Sequence, residues 1–380
     1  MDFNFTEEQV LLQNTVKNFV KDKVTHEVVD HYDTSEEFPS KLMDEMTDLG
    51  FLALPFPEQY GGIGGITLDI VLLLENISYG MVSLGAAYMM SVVFGGMSIL
   101  HYGNEEQKRE YIPKIISGEI KTAFALTEPN AGSDAASLKT SAVLDGNDYI
   151  INGNKVFITG AHQADYLLVA AKTDKSVSKY EGITIFLVKT NTPGIDIRKL
   201  EKLGMRPVRT NEVFFEDVKV PKENILGGLN LGWPNLLKSL GNERVTCGAV
   251  CTGGAQAAVD YAAKYAKERV QFGKPISKFQ VIQHFIADMQ MDVDLARLLT
   301  WRASWLLSEK MSCGKETAMV KVFASEAYSR VANKGVQILG GNGYMMEYPL
   351  QRHLRDSKFF EIAGGTSEIQ RNIIAAELGL

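Results

Sequence analysis

The chain has 380 residues, 45% hydrophobic and 22% charged, with 39 basic and 46 acidic side chains and a net charge of −7. This balance excludes disordered and collagen-like classes, and with no Lys/Arg cluster a nucleic-acid surface has no electrostatic support. Cys247, Cys251 and Cys313 are too few for a disulfide framework and point to a reducing compartment. The six histidines are scattered, and no pair has zinc-ligand spacing.

The opening MDFNFTEEQV has no basic stretch ahead of an apolar one, so no targeting peptide is expected. Residues 1–122 read as a helical unit. Thr6 followed by Gln9 is a capping-box start, with Val10, Leu11, Val16 and Phe19-Val20 behind it at helical spacing. A second helix begins at Phe38-Pro39-Ser40, and a glycine-rich loop, Gly61 to Gly65, breaks the pattern. Leu68 to Tyr79 and Glu105 to Ile116 complete the unit, with an uncharged stretch, Gly80 to Leu100, between them. That stretch is long enough to span a bilayer, but its glycines and serines, and the lack of a basic flank, favour a buried helix with close backbone contacts.

Residues 123–232 change period. Short runs rich in Val, Ile, Thr, Phe and Tyr begin at Thr122, Leu138, Asp148, Lys155, Tyr166, Ile183 and Ile195. Asp145-Gly146-Asn147 and Asn152-Gly153-Asn154 punctuate them, and Val213 to Val220 is the last. The spacing predicts an antiparallel sandwich or barrel. Residues 233–380 return to helical period, with Pro234 suited to a first turn. Helices are predicted to about Arg269, then over Phe279–Leu307, Lys315–Leu339 and Ser367–Leu378. The fold class is therefore α+β, with the strands between two helical units.

Dinucleotide, P-loop, zinc-protease and nucleophile-elbow motifs are missing, which removes most support for a Rossmann oxidoreductase or a nucleotide triphosphatase. What remains is a set of glycine-containing polar segments: Phe124 to Asp134 (FALTEPNAGSD), Lys155 to Gly160 (KVFITG), Glu268 to Pro275 (ERVQFGKP) with Phe279-Gln280, Gln337 to Tyr344 (QILGGNGY), and Gly364 to Arg371 (GGTSEIQR). A small Ala-Gly-Ser corner lets backbone amides approach a planar or phosphorylated ligand. An arginine at a helix end suits a phosphate or the helix carbonyls. Thr366 or Ser367 suits a helix cap. Each is weak alone.

Together, and with Pro57-Glu58-Gln59-Tyr60-Gly61-Gly62, Leu203-Gly204-Met205-Arg206 and Asp217 to Pro221, they resemble the acyl-CoA dehydrogenase family in order and spacing over nearly the whole chain. The resemblance implies an N-terminal α-domain, a middle β-domain and a C-terminal four-helix bundle, with FAD held between domains and subunits of a homotetramer or dimer. It implies FAD contacts at Phe124, Leu126, Thr127, Gly132, Ser133, Phe157, Ile158 and Thr159. Arg269, Phe272, Gln280, Gln337, Gly340 and Gly341 would reach the FAD of a neighbouring subunit. Thr366, Ser367 and Glu368 would hold the diphosphate and ribose side. Ser133, Gly241, Asn242, Arg244, Gly364 and Gly365 are the implied acyl-CoA contacts, and Gly80–Leu100 the implied acyl pocket.

The implied reaction removes the α-proton of an acyl thioester while a hydride leaves the β-carbon. Electrons would be exchanged with an electron-transfer flavoprotein, and the reverse, enoyl-CoA reduction, is equally open. Many relatives carry the base as Glu in Y-E-G-T, but this chain reads Ala363-Gly364-Gly365-Thr366 there. A minority branch carries it in an E-R pair on the long helix opening the C-terminal unit, which makes Glu243, beside Arg244, the expected base. Glu361, Glu368 and Glu377 are the competing carboxylates. Val208 stands where many relatives have Ser, which leaves the acyl group unnamed. The alternative reading is a family-fold flavoenzyme performing a non-oxidative elimination. A cytoplasmic location is expected, or the mitochondrial matrix for a processed eukaryotic chain, without a membrane anchor.

Overall fold

A computed structural model describes residues 4–380. The helical unit contains α1 (Glu7–Lys23), α2 (His26–Ser35), α3 (Ser40–Asp48), α4 (Thr67–Gly80), α5 (Val82–Tyr88), α6 (Met97–Tyr102) and α7 (Glu105–Ile116). The expected capping box opens α1: the Thr6 hydroxyl accepts from the Gln9 amide at 3.2 Å, and the Gln9 side chain accepts from the Thr6 amide at 3.2 Å. Helix α2 escaped the sequence pattern because only Val29, Tyr32 and Asp33 are buried along it, too few for a visible apolar stripe.

Between α5 and α6 the chain winds as a π-helix over Met89–Gly96. Almost all of the uncharged stretch is inside the molecule, as the glycine content predicts. The reason is local. A Cβ on Gly95 would lie 1.6 Å from the Thr122 hydroxyl, which itself donates to the Ser91 carbonyl at 3.1 Å. Only a glycine lets this helix lie so close to the sheet.

The sheet is built from β1 (Thr122–Ala125), β2 (Ser141–Asp145), β3 (Asp148–Thr159), β4 (Tyr166–Lys172), β5 (Ile183–Lys189), β6 (Ile195–Leu200), β7 (Thr210–Pro221) and β8 (Ile225–Leu226). Its order is β6-β7-β3-β2-β4-β5-β8, with β1 on β4. Two features differ from the expectation. The β1–β4 pair and a single β2–β4 bridge are parallel, the rest antiparallel. Asn152-Gly153-Asn154 is no turn: β3 runs through it as one strand paired with β7, with register shifts at 151/153 and 155/158. Asp145 and Asp148 do face each other across a two-residue hairpin turn.

The C-terminal helices are α8 (Gly232–Glu268), α9 (Gln280–Ser308), α10 (Gly314–Leu339), α11 (Leu350–Ile362) and α12 (Ser367–Glu377), with a small hairpin of β9 (Val270–Gln271) and β10 (Lys274–Pro275) after α8. Helix α10 packs on α8, α9 and α12, and α8 also packs on α4 of the N-terminal unit. Helix α11 was not predicted. Its buried residues are largely polar, including Gln351, Arg352, Asp356 and Ser357, so its inward face does not read as apolar.

Those polar groups join the units. Arg352 pairs with Asp30 and Arg355 with Asp33, both on α2, and the Met205 amide donates to Asp356. Burial pushes the Asp356 carboxyl up to about 6. Met205 holds this place with a left-handed backbone, φ +54°. Val208 lies fully inside the core, so a valine replaces the small polar residue there without exposing apolar surface.

Removing one partner of such a buried pair leaves an uncompensated charge. Arg355→Ala is expected to cost about 3–5 kcal/mol by that mechanism. A thermal midpoint unchanged from the parent would show that α11 docks by other contacts.

Candidate active site

Glu243 lies on α8 against the turn that precedes α12. Its Oε1 sits 3.0 Å from the point that a Cβ on Gly364 would occupy. The turn is fixed by glycine conformations, Gly364 at φ +66° and Gly365 at φ +86°. The Gln370 side chain donates to both their carbonyls, at 3.0 and 3.2 Å. Thr366 then caps α12, its hydroxyl accepting from the Ile369 amide at 3.3 Å. Ser367 is buried and Glu368 exposed in the first helical turn. The peptide amides of that turn and Thr366 hold the Glu368 carboxyl below its ordinary range.

Glu243 is partly accessible, yet its carboxyl is heavily desolvated. Desolvation pushes it up to about 7, opposed by the charges of Arg244 and Lys321. Arg244 is half-buried, its Nε without a hydrogen-bond partner among the described residues. Gly241 and Asn242, also half-buried, share this turn of α8.

A second group forms where β1 runs into its loop beside β3. Glu128 is its anchor. Its carboxylate accepts from the Lys139 and Thr140 amides at 2.6 and 2.9 Å and from Lys155 Nζ at 2.8 Å. Lys155 is completely buried and also donates to the Leu126 carbonyl at 2.9 Å. Burial brings the Lys155 ammonium down to about 8, against the pull of Glu128. On the opposite side, Lys155 and its hydrogen bonds hold the Glu128 carboxyl below its ordinary value despite burial. The Val156 amide donates to the Thr127 carbonyl at 2.9 Å, tying loop to strand. Phe124, Leu126, Thr127 and Thr159 are half-buried, and Gly132 and Ser133 exposed. Phe157 has a left-handed backbone, φ +60°, and turns its ring outward, 65% exposed. The Ile158 side chain, by contrast, belongs to the core, so only its backbone can meet a ligand.

Residue-type reading passed over Glu128 and Lys155 as an anchor. The available signal was a charged pair at the edges of two apolar strand segments.

The third group lies at the far end of the bundle. The Ile276 amide donates to the Arg269 carbonyl at 2.8 Å, and Tyr265 Oη accepts from the Asn342 side chain at 2.9 Å. These bonds gather Arg269, the β9–β10 hairpin, the start of α9 and Gln337 to Gly341. Arg269, Gln280, Gln337, Gly340 and Gly341 are all exposed, and Phe272 is 93% exposed in a left-handed conformation, φ +52°.

Three family models cover the chain: the acyl-CoA dehydrogenase N-terminal domain over residues 6–119, the middle domain over 123–218 and the C-terminal domain over 230–379. The chain belongs to the acyl-CoA dehydrogenase family. It is 42% identical over 379 residues to a probable acyl-CoA dehydrogenase of Bacillus subtilis, covering 100% of both chains. It is 40% identical to the caffeyl-CoA reductase–Etf complex subunit CarC of Acetobacterium woodii, covering 98% of this chain and 99% of that one. Butyryl-CoA dehydrogenase of Megasphaera elsdenii superposes with a TM-score of 0.96 at 36% identity, over 100% of both chains.

As an acyl-CoA dehydrogenase, this chain is an FAD-dependent oxidoreductase. Its residues fit that cofactor. A Cβ added at Gly132, Gly340 or Gly341 would meet no atom within 4 Å, so all three backbones are open to close approach. Phe157 lays an uncovered ring beside the loop that Glu128 anchors.

The Glu128–Lys155 pair is the support of that loop. Lys155→Met leaves Glu128 buried with one partner fewer and is expected to cost about 3–5 kcal/mol in stability. Flavin content per chain should fall with it, measured by absorbance after gel filtration. Full flavin content and parental stability together would remove the anchor role.

Proposed function

We propose that this acyl-CoA dehydrogenase converts an acyl-CoA to the 2,3-enoyl-CoA, or the reverse, with Glu243 exchanging the proton at the α-carbon. The observation that carries this is the 3.0 Å separation between Glu243 Oε1 and the Cβ position at Gly364. Where relatives carry the base on the turn, this chain has a glycine, and the carboxylate of Glu243 fills the adjoining space from α8.

The bound flavin supplies the acceptor, or donor, of the β-hydride. The chain's own residues do the rest. Glu243, desolvated to about 7, is poised to hold or release a proton near neutral pH. Gly364, exposed beside it, has a backbone N–H that in this reading meets the thioester oxygen, where charge builds as the α-proton leaves. The buried Met89–Gly96 segment offers an apolar wall for the acyl chain. The outward Phe157 and the open Gly132 corner serve the isoalloxazine side. Thr366 to Glu368 serve the diphosphate and ribose side.

Arg269 serves a neighbour in this reading. From Glu243 to Arg269 the helical rise is about 39 Å, too far for both to meet the reacting end of one substrate and flavin. The exposed bundle end, with Phe272 uncovered, fits an oligomer in which one chain completes the flavin site of another. A tetramer accounts for this, as does a dimer. The electron partner is an electron-transfer flavoprotein, supported by the similarity to a subunit named as part of an Etf complex.

Glu243→Gln keeps shape and removes the base. Flavin reduction by substrate should slow by about 10²–10⁴-fold while flavin content stays near the parent's. Reduction at the parental rate would send the assignment to another carboxylate. Because Glu243 titrates at about 7, the two directions differ in sign. Dehydrogenation needs the carboxylate and should accelerate as pH rises through that value, whereas enoyl-CoA reduction needs the acid and should slow. Both limbs should vanish in Glu243→Gln. Arg269→Ala should weaken flavin retention by about 1.5–3 kcal/mol through loss of a charge-assisted contact. Full flavin occupancy in a monomeric Arg269→Ala protein would break the shared-site model.

A further inference from the structure

Six charged residues are buried among the described residues: Asp33, Glu128, Lys155, Lys321, Arg352 and Asp356. Five are satisfied. Asp33 pairs with Arg355, Glu128 with Lys155, Arg352 with Asp30, and Asp356 accepts from the Met205 amide. Lys321, on α10, is 1% exposed, and its Nζ has no hydrogen-bond partner among the described residues. A lone ammonium held out of water is costly: burial lowers the Lys321 ammonium's pKa, and only the opposing charge of the groups facing it favours the ammonium form.

The packing of α10 on α8 says which. A Cβ on Gly248 of α8 would lie 2.3 Å from Val320 Cγ1, and one on Gly254 would lie 2.8 Å from the Tyr328 ring. Those two contacts show α8 and α10 running in the same direction in close approach. Side chains lean toward the start of their helix, so Lys321 leans toward the end of the bundle that holds Glu243. On α8, Glu243, Cys247 and Cys251 recur every four residues and form one stripe on that face.

The groups facing Lys321 are Cys247, Cys251 and Glu243 from α8 and Glu361 from α11. Glu361 is taken by Lys358, at 2.6 Å. Burial pushes the Cys251 thiol well up, which keeps it neutral. Cys247 is the one rival, its thiol shifted down chiefly by its hydrogen bond with Cys251. Arg244, its neighbour on α8, is the larger opposing charge on Glu243, and Lys321 is the second. Arg244 is half-buried with its Nε enclosed, and Lys321 is enclosed altogether, reaching Glu243 from a different helix.

We propose that Lys321 is a positioning residue for Glu243, its buried ammonium adding across the α8–α10 contact a counter-charge, beside that of Arg244, that favours Glu243 in its carboxylate form. The kinetic part of this rests on Glu243 being the base; the electrostatic part does not.

The test uses the flavin-loaded enzyme and its Lys321→Met and Lys321→Arg variants. Infrared difference titration follows the protonated carboxyl band of Glu243, assigned by its loss in Glu243→Gln. With the cation gone, the carboxylate is less favoured. The midpoint in Lys321→Met should therefore move up by about one pH unit, and Lys321→Arg should return it toward the parent. The limb of flavin reduction against pH should move with it, so that below the limb the rate falls by about tenfold, while at high pH it stays near the parent's. If Lys321→Met does not fold, Lys321→Gln, which can hydrogen-bond without charge, is read the same way. A band that does not move overturns the proposal, and so does a shift of the Cys247 thiol in its place. A shifted band in an enzyme whose Glu243→Gln variant still reduces flavin at the parental rate would uphold the coupling and overturn only the base reading.

Discussion

A carboxylate takes a proton from a weakly acidic carbon best where water does not compete for it, and the desolvation of Glu243 is the condition on which the base role proposed for it depends. It arises from packing, not from any one neighbour. Helix α8 touches α4, α9, α10 and α11, and it can do so because small residues line it: Gly248, Ala249, Cys251, Gly253, Gly254 and Ala255 are all buried. Close approach removes water from the stretch of α8 that begins at Val245, and Glu243 lies at the edge of that stretch. The exposed Gly364 lies against it there, and Glu243 stays partly accessible while its carboxyl is desolvated.

Buried charge does similar work in three other places, each at a join. Glu128 and Lys155 lock the β1 loop to β3, so the corner at Gly132 is presented by a rigid support. Arg352 and Arg355 hold α11 against α2, and Asp356 receives the 203–206 loop. Ion pairs of this kind add little net stability compared with apolar packing. They do fix register between elements far apart in sequence, since an unpaired partner in the wrong arrangement would be severely penalised. That suits a flavin site assembled from segments that no single domain contains.

Much of this was legible in the sequence. The capping box at Thr6, the strand at Tyr166 and the long helix from Pro234 carry strong local signals, and the structure follows them. The uncharged Gly80–Leu100 stretch announced its burial through its glycines, although its π-helical winding over Met89–Gly96 leaves no periodic trace. What escaped has a common cause. Helix α11 buries polar residues, β3 carries an Asn-Gly-Asn that bulges instead of turning, and Lys321 is a charge on a face of α10 otherwise occupied by Thr317, Ala324, Ser325 and Tyr328. Each is decided by a partner distant in sequence: α2 for α11, β7 for β3, α8 for Lys321. Composition and period report only local preference, so they are silent where a tertiary contact reverses it. The proposal for Glu243 was legible for a different reason, because a missing carboxylate at Gly364 and a present one on α8 are both visible as residues, and the two lie against each other in the fold.

The exchange of one position for the other has a physical logic. Gly364 has φ +66°, where a residue with a Cβ costs about 1–2 kcal/mol. A glutamate there would carry that strain, whereas Glu243 lies in ordinary helix and carries none. Relief of backbone strain is offset by electrostatics. A carboxyl on the exposed turn would meet water, but one on α8 is desolvated and needs cationic support, which Arg244 and Lys321 give. The two positions also crowd each other, since a Cβ at 364 would already lie 3.0 Å from Glu243 Oε1, which would have to shift by a few tenths of an ångström. A returned carboxylate therefore needs room as well as charge. Gly364→Glu in a Glu243→Gln protein would crowd the amide, whereas Gly364→Glu with Glu243→Ala vacates the space. The second double variant should recover part of the flavin-reduction rate, measured under anaerobic single turnover, and the first should recover less. Equal recovery in both would show that the turn moves freely and that the two positions do not compete for one space.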